Sequence, residues 1–211
     1  MSLWADPPLA SRPPSASAGA YRVGKRVFDL LLASALLPLL AAVLIAVWAL
    51  NPRLNPGPLF YAQTRMGRDC RPFTLWKLRT MRPGAPPRGP EEPLEVERIP
   101  PFGRLLRRLR LDELPQVVNM LRGEMSFVGP RPDCLSHARA FLGSVPGYRA
   151  RHAVRPGLTG LAQVRLGYAE GAEATREKVR VDLDYVAGAG WGTDLRIVLE
   201  TVGVILACRG R

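Results

Sequence analysis

The sequence of 211 residues predicts a helix-rich α/β protein associated with a membrane. An uncharged run from Leu30 to Leu50 is long enough, as a helix, to cross a hydrocarbon core of ~30 Å. Two short extended segments on either side of Gly67-Arg68-Asp69 predict a small antiparallel hairpin. Apolar residues recur at helical spacing in the second half of the chain. We therefore expect one membrane segment, a small antiparallel sheet and amphipathic helices.

The first twenty residues precede the membrane segment. Four of them are proline and many others are small, which predicts a disordered tail over residues 1–20. A secretory signal peptide is not indicated, because the cleavage-like Ala16-Ser17-Ala18 lies before the apolar run.

The composition excludes several classes of protein. Three cysteines and two histidines, without CxxC, HExxH or GxSxG, argue against a disulfide framework, a thiolate zinc site and the common hydrolases. The formal net charge is +12, and residues 65–110 hold twelve basic and five acidic side chains. Most of the cations are arginine, whose planar fork suits phosphate, although GC-rich coding also produces arginine-rich chains. The charge predicts an acidic partner.

The membrane segment, residues 21–52, has two features that complicate a simple crossing. Pro38 near its middle removes a backbone donor and kinks or breaks a helix. Basic residues flank both ends, whereas a spanning helix should have its positive flank on the cytoplasmic side only. A re-entrant hairpin that is broken at Pro38 satisfies both observations, and a spanning helix remains the alternative.

The predicted hairpin joins Leu59-Phe60-Tyr61 to the strand from Phe73 to Met81. In an extended strand Lys77 and Arg79 point to one face, either as solvated charges or as ligands of an anion. The segment 82–101 contains seven prolines and an acidic run, which predicts a surface loop.

Residues 102–132 contain the densest pattern of charge. Arg104, Arg107 and Arg108 would share one helix face, suited to solvent or to an anionic membrane surface. Asp112 is a good N-cap for a helix from Glu113 to Arg122 that ends at Gly123. Two adjacent carboxylates at a helix N-terminus serve either as a cap or in phosphate and metal chemistry.

A buried strand, Met125 to Val128, is predicted next, followed by an arginine between two prolines. The fixed φ angles of Pro130 and Pro132 stiffen the backbone of Arg131, as expected for an arginine presented to an anion.

These segments together resemble the bacterial sugar transferases, which are monotopic polyprenyl-phosphate phosphoglycosyl transferases, over roughly residues 22–206. One such segment is weak evidence, but six in the same order are specific. They are Lys25-Arg26-Val27-Phe28-Asp29, Pro56 to Tyr61, Phe73 to Met81, Leu111 to Gln116, Met125 to Pro132 and Arg155-Pro156-Gly157-Leu158-Thr159-Gly160.

The resemblance implies an enzyme that moves a phosphosugar from a UDP-sugar to undecaprenyl phosphate and releases UMP, as the first step of glycan assembly. It implies that Asp112 is the nucleophile and that Glu113, with Asp112, holds Mg²⁺. Phosphate contacts are expected from Lys77, Arg79, Arg131 and Arg155. The compact catalytic domain, residues 53–211, would rest on the cytoplasmic face of the bacterial inner membrane. Inner-membrane lipid, downstream glycosyltransferases and a second copy of the chain are further candidate partners.

The last third of the chain is predicted to support the site. A polar helix over Thr175–Val186 would leave Asp182 and Asp184 solvated or paired with arginine. A second helix, Asp194–Ala207, capped by Thr193, would lie on the bilayer or pack on the membrane segment.

Two other classes stay open from the residues alone, a membrane-anchored nucleic-acid binder that uses residues 65–110 and an inactive scaffold. Nucleic acid is not an expected partner, because no known binding module or exposed aromatic platform is visible.

Overall fold

The computed structural model describes residues 16–84, 95–167 and 172–206. Residues 1–15 of the predicted tail and residues 85–94 of the predicted loop lie outside the described residues. Residues 16–20 of the predicted tail are the first residues of the helix α1. The helices are α1 (Ala16–Leu54), α2 (Pro101–Arg108), α3 (Gln116–Arg122), α4 (Leu135–Ser144), α5 (Leu161–Leu166), α6 (Ala172–Ala187) and α7 (Trp191–Leu206).

The apolar run forms the single helix α1, which is long and apolar enough to cross a membrane. Pro38 lies inside this helix, which continues on both sides of it, and the re-entrant hairpin stays a prediction. A proline removes only one backbone donor. Ala33 and Leu40, on either side of it, are both buried.

One face of α1 is buried along its length. Asp29, Ala33, Leu40, Val47 and Asn51 are all buried and recur at spacings of four and seven residues, which place them on one side of a helix. Other faces are exposed and apolar, as at Leu31, Ile45 and Trp48.

The predicted hairpin is confirmed as an antiparallel pair of strands, β1 (Phe60–Met66) and β2 (Pro72–Leu78). Tyr61 lies opposite Lys77, and Arg65 lies opposite Phe73. The strand β2 ends at Leu78, so Arg79 lies beyond the alternation that was expected to align it with Lys77.

The helix predicted from Glu113 begins later. Leu111–Glu113 is a 3-10 turn entered through Arg110 at φ 58°, and α3 starts at Gln116. Asp112 is therefore not the N-cap of α3, which has no side-chain cap. The predicted helix end is confirmed, because Gly123 has φ 79°, a conformation that favours glycine.

A second sheet, not predicted from the sequence, pairs the strand predicted before Gly129 with a later one. Strands β3 (Ser126–Val128) and β4 (Gly157–Thr159) are parallel. A Cβ on Gly157 would lie 2.1 Å from the backbone nitrogen of Gly129, so this approach requires glycine.

Buried clusters join these elements. One cluster links α1 to the hairpin and α3 through Ala33, Leu75 and Val117. Another links the far end of α1 to β2 and α2 through Val47, Leu78 and Leu106. The C-terminal helices pack on β3 through a third cluster made of Val128, Leu161, Ala162, Val181, Tyr185 and Ile197.

Candidate active site

The carboxylates of Asp112 and Glu113 lie in the 3-10 turn between α2 and α3, and each residue is 7% exposed. Lys77 Nζ donates a hydrogen bond of 2.7 Å to Glu113 Oε1. Arg131 Nη2 donates to the same oxygen, also at 2.7 Å. The structure thus brings together four of the predicted site residues from β2, the turn and the loop after β3.

Glu113 is held as an anion. Its burial alone would raise the pKa of the carboxyl group, but the charges of Arg131 and Lys77 outweigh burial and hold the pKa well below its usual range. A buried carboxylate between two cations also fixes the position of both cations.

Asp112 differs from its neighbour. Within the described residues no side chain or backbone group donates a hydrogen bond to its carboxylate. Burial raises the pKa of Asp112, the charge of Lys77 opposes that rise, and the negative charge of Glu113 adds to it. In its ionised form, a carboxylate that accepts no hydrogen bond keeps its oxygen lone pairs available, as a nucleophile requires.

A further cation near Asp112 is Arg107, which the helical spacing of the sequence placed on a face toward solvent or membrane. Arg107 of α2 donates from Nε to the Thr80 hydroxyl at 2.8 Å, and its charge, like that of Lys77, opposes the rise that burial gives the pKa of Asp112. Only helical spacing to Arg104 and Arg108 was visible in the sequence, and this spacing does not show which face is buried.

The loop that carries Arg131 is fixed by residues that the sequence did not indicate. Arg151 Nη2 donates to the backbone oxygen of Arg131 at 2.8 Å. The guanidinium of Arg151 also pairs with Asp182 at 2.6 Å, where both side chains are 1% exposed. The predicted pairing of Asp182 with an arginine is confirmed.

Asp133, two residues after Arg131, completes this support. It accepts hydrogen bonds from Tyr148 at 2.7 Å, from Lys178 at 2.5 Å and from Arg151. These charges outweigh burial and hold the pKa of Asp133 well below its usual range. The carboxylates of Asp133 and Asp182 thus balance the charges of Arg151 and Lys178 beside the loop that carries Arg131.

Arg79 has a different environment from Lys77. Its guanidinium is buried and donates to the backbone oxygens of Pro58, Met81 and Asn55 and to the side-chain oxygen of Asn55. Arg79 thus ties the end of β2 to the chain just after α1. None of these hydrogen bonds goes to Asp112 or Glu113, and the predicted phosphate contact of Arg79 stays a prediction.

Arg155 lies at the opposite end of α3 from Asp112. Its Nε donates to the backbone oxygen of Gly123 at 2.8 Å. Arg26 donates to the neighbouring oxygens of Met120 and Leu121, so both arginines stabilise the carbonyl end of the helix. Arg155 is not part of the Asp112 site, and its predicted phosphate contact stays a prediction.

The carboxylate pair fits a magnesium ion only in part. The described residues contain no group of three or more histidine, cysteine, aspartate or glutamate side chains that could hold a metal. Mg²⁺ is often bound by one or two carboxylates together with substrate phosphates. Asp112 and the second oxygen of Glu113 match that mode, in which phosphate completes the coordination.

A buried carboxylate beside lysine and arginine side chains that a second carboxylate holds in place is an arrangement suited to phosphate chemistry. Residues 20–208 match the model of the family described as bacterial sugar transferase. The chain belongs to this family, and the prediction of a sugar transferase enzyme is confirmed.

Curated relatives carry names of the same kind. The chain is 44% identical over 192 residues to a UDP-glucose:undecaprenyl-phosphate glucose-1-phosphate transferase of Caulobacter vibrioides, covering 89% of this chain and 71% of that protein. It is 37% identical to a UDP-N-acetylgalactosamine-undecaprenyl-phosphate N-acetylgalactosaminephosphotransferase of Aeromonas hydrophila, covering 88% of this chain but 44% of that protein. It is also 37% identical to the exopolysaccharide production protein PSS of Rhizobium leguminosarum bv. phaseoli, covering 84% of this chain and 92% of that protein.

Proposed function

We propose that the protein transfers a phosphosugar from a UDP-sugar to undecaprenyl phosphate through a covalent intermediate on Asp112. The family and the names of its relatives support the reaction class. The observation that carries the mechanism is the buried Asp112 carboxylate, which has no donor among the described residues while Glu113 beside it is fixed by two cations.

The first step forms a bond from an Asp112 carboxylate oxygen to the phosphorus that carries the sugar. The bond from that phosphorus to the bridging oxygen of the diphosphate breaks, and UMP leaves with the electron pair. In the second step a phosphate oxygen of undecaprenyl phosphate attacks the same phosphorus. The bond to Asp112 breaks, which restores the carboxylate and gives undecaprenyl diphosphate sugar. Two displacements at one site predict ping-pong kinetics.

Lys77 and Arg131 stabilise the charge that develops on the phosphoryl oxygens. Phosphoryl transfer depends mainly on positioning and on neutralisation of oxygen charge, and both cations are already held by Glu113. Mg²⁺, bound by Asp112 and Glu113, would supply further neutralisation of the diphosphate. The raised pKa of Asp112 limits its ionised fraction at acid pH, and the charge of Lys77 opposes this loss.

A lipid acceptor requires the site to lie at a membrane. The exposed apolar faces of α1 and α7, with Leu31, Ile45, Leu195 and Leu199, support a placement at the bilayer. We place the domain on the cytoplasmic face of the inner membrane, where a nucleotide sugar is available. Neither the family match nor the site supports the nucleic-acid or scaffold alternative.

The experiment is UMP release by protein held in nanodiscs with undecaprenyl phosphate, Mg²⁺ and a panel of UDP-sugars. Wild type is compared with Asp112→Asn, and Asp184→Asn, an exposed aspartate on α6, is the matched control. Release with one sugar, abolished by chelator and in Asp112→Asn but retained in Asp184→Asn, supports the proposal. Equal release from wild type and Asp112→Asn overturns it.

A second measurement isolates the covalent step. With sugar-labelled donor and no acceptor, wild type should retain label on the protein, and Asp112→Asn should not. Adding undecaprenyl phosphate should then move the label into lipid. Turnover without any labelled protein would exclude the aspartyl intermediate.

A further inference from the structure

Arg65 lies beside Arg131, next to the site, and no step of the proposed reaction uses it. It is the sixth residue of β1, and its side chain projects from the same face of the hairpin as Tyr61, four residues earlier. Tyr61 is directly opposite Lys77, so Arg65 and Lys77 share one face of the hairpin. That face contacts the loop that carries Arg131, because Arg65 Nη1 donates to the backbone oxygen of Pro132 at 2.9 Å.

The guanidinium of Arg65 is incompletely satisfied. Its Nε is buried and has no hydrogen-bond partner within the described residues. Within the residues that the structure describes, the Arg65 side chain donates one hydrogen bond, to Pro132, and no carboxylate forms an ion pair with it. An arginine has five donor hydrogens, so most of this fork is unused.

The neighbouring charges make this arrangement unusual. Lys77 and Arg131 are matched by Glu113, with Asp112 beside it. Arg151 and Lys178 are matched by Asp133 and Asp182.

Asp133 is close enough to affect Arg65, but its oxygens already accept from three other groups. Burial, followed by the positive charge of Arg131, lowers the pKa of Arg65, although a guanidinium remains charged near neutral pH. Arg65 is thus a cation beside another cation, with no carboxylate of its own among the described residues. An anion from outside the chain would satisfy both its charge and its free donors.

We infer that Arg65, together with Arg131, binds a phosphate group of a substrate beside the Asp112 carboxylate. The inference rests on the proposed function and names a further residue of that site. The ligand chemistry is a phosphate with at least two free oxygens, since an arginine fork binds such a group in a bidentate manner. Both the nucleotide diphosphate and the phosphomonoester of the lipid acceptor carry such a group.

Steady-state kinetics of Arg65→Gln distinguish the two sources. Loss of a charge-assisted contact should raise the KM of one substrate by about 10- to 100-fold, with a smaller fall in kcat. A rise in the KM of the UDP-sugar assigns the contact to the nucleotide, and a rise in the KM of undecaprenyl phosphate assigns it to the acceptor. Arg68→Gln, an exposed arginine three residues later that pairs with Asp69, should leave both values unchanged. Both KM values within twofold of wild type in Arg65→Gln would overturn the inference.

Binding without turnover separates this inference from the proposed reaction. UMP and farnesyl phosphate are titrated by calorimetry into nanodisc-held wild type, Asp112→Asn, Arg65→Gln and Arg65→Lys. Asp112→Asn should bind both probes, whereas Arg65→Gln should lose affinity for one of them by about tenfold or more. Arg65→Lys keeps the charge without the fork, and should bind with intermediate affinity if Arg65→Gln fails to fold.

The outcomes are distinct. A wild type that binds a probe through Arg65 but turns over no UDP-sugar would support this inference and contradict the proposed reaction. Equal affinities of wild type, Arg65→Gln and Arg65→Lys for both probes would overturn the inference while leaving the reaction intact.

Discussion

Ser126 Oγ donates a hydrogen bond of 3.0 Å to Oδ1 of Asp29, although 97 residues separate them in the chain. The backbone N–H of Phe127 donates to the same oxygen at 2.9 Å. Asp29 is a buried residue of α1, and both donors belong to β3, the strand that leads to Arg131. One carboxylate oxygen thus fixes the long helix relative to the arginine loop.

Replacing this carboxylate tests the connection. We expect Asp29→Ala to lower the free energy of unfolding by about 2 kcal/mol, because two donors lose their acceptor in a buried place. Asp29→Asn keeps a side-chain oxygen and should cost less than half as much. Thermal unfolding in detergent measures both. If both variants lose the same free energy of unfolding, the hydrogen bonds accepted by the Asp29 oxygen do not contribute to stability.

Arg79 provides a test of structure against catalysis. We expect Arg79→Ala to lower the free energy of unfolding by about 3 kcal/mol, because a buried guanidinium with several backbone contacts is lost. The KM for the UDP-sugar should stay within twofold of wild type, since the hydrogen bonds of Arg79 go to backbone groups and Asn55 rather than to Asp112 or Glu113. Arg71→Ala, at an exposed position, is the control for stability. A large rise in KM at unchanged stability would instead support the predicted phosphate contact of Arg79.

His152 predicts a dependence of stability on pH. Burial, and then the charge of Arg151, lower the pKa of His152 to about 4 in the folded protein, compared with ~6.5 in the unfolded chain. The unfolded chain therefore binds the proton more readily, so stability is full above pH ~6.5 and is lost as the pH falls toward 4. From pH 7 to pH 5 the loss is about 2 kcal/mol.

The measurement is urea unfolding of wild type, His152→Gln and His137→Gln across this range. His152→Gln should lose most of this pH dependence, whereas His137→Gln should keep it. A pH dependence that is the same in all three proteins would contradict the prediction.

Two glycines form a matched pair for the β3–β4 contact. A Cβ at Gly157 would meet the Gly129 nitrogen at 2.1 Å, whereas a Cβ at Gly143, in α4, would meet nothing within 4 Å. We expect Gly157→Ala to cost about 2 kcal/mol or more and to displace the Arg131 loop, with loss of activity. Gly143→Ala should be neutral or stabilise by about 0.5 kcal/mol. Denaturant midpoints together with UMP release check the pair, and an active, stable Gly157→Ala would refute the close approach.

The elements that the sequence predicted well depend on local signals. The hairpin, the strand before Gly129 and the two C-terminal helices follow from alternation, helical spacing and turn residues. Gly123 ends α3 as predicted because a left-handed residue after a helix favours glycine. The association of Asp112 and Glu113 with a site came from the resemblance to a family, since adjacent carboxylates alone also occur as caps.

The features that the sequence did not indicate depend on contacts between distant segments. Pro38 predicts a kink or break, and the structure has one helix on both sides of it. Strand alternation predicts Arg79 on the same face as Lys77. Because β2 ends at Leu78, Arg79 instead bonds to Asn55, the residue just after α1. Arg151 and Lys178 have no local pattern that links them to Arg131, and their role follows from tertiary contact with Asp133.

The buried face of α1 has a consequence for how the protein is made. Ala33 belongs to the cluster beneath α3, and Val47 belongs to the cluster beneath α2, so the first helix completes the interior of the domain that follows it. A chain lacking α1 would leave Val117 and Leu78 uncovered. The other faces of α1 form the surface proposed to enter lipid. The domain therefore completes its interior as α1 enters the bilayer. We do not expect a water-soluble pool of folded enzyme.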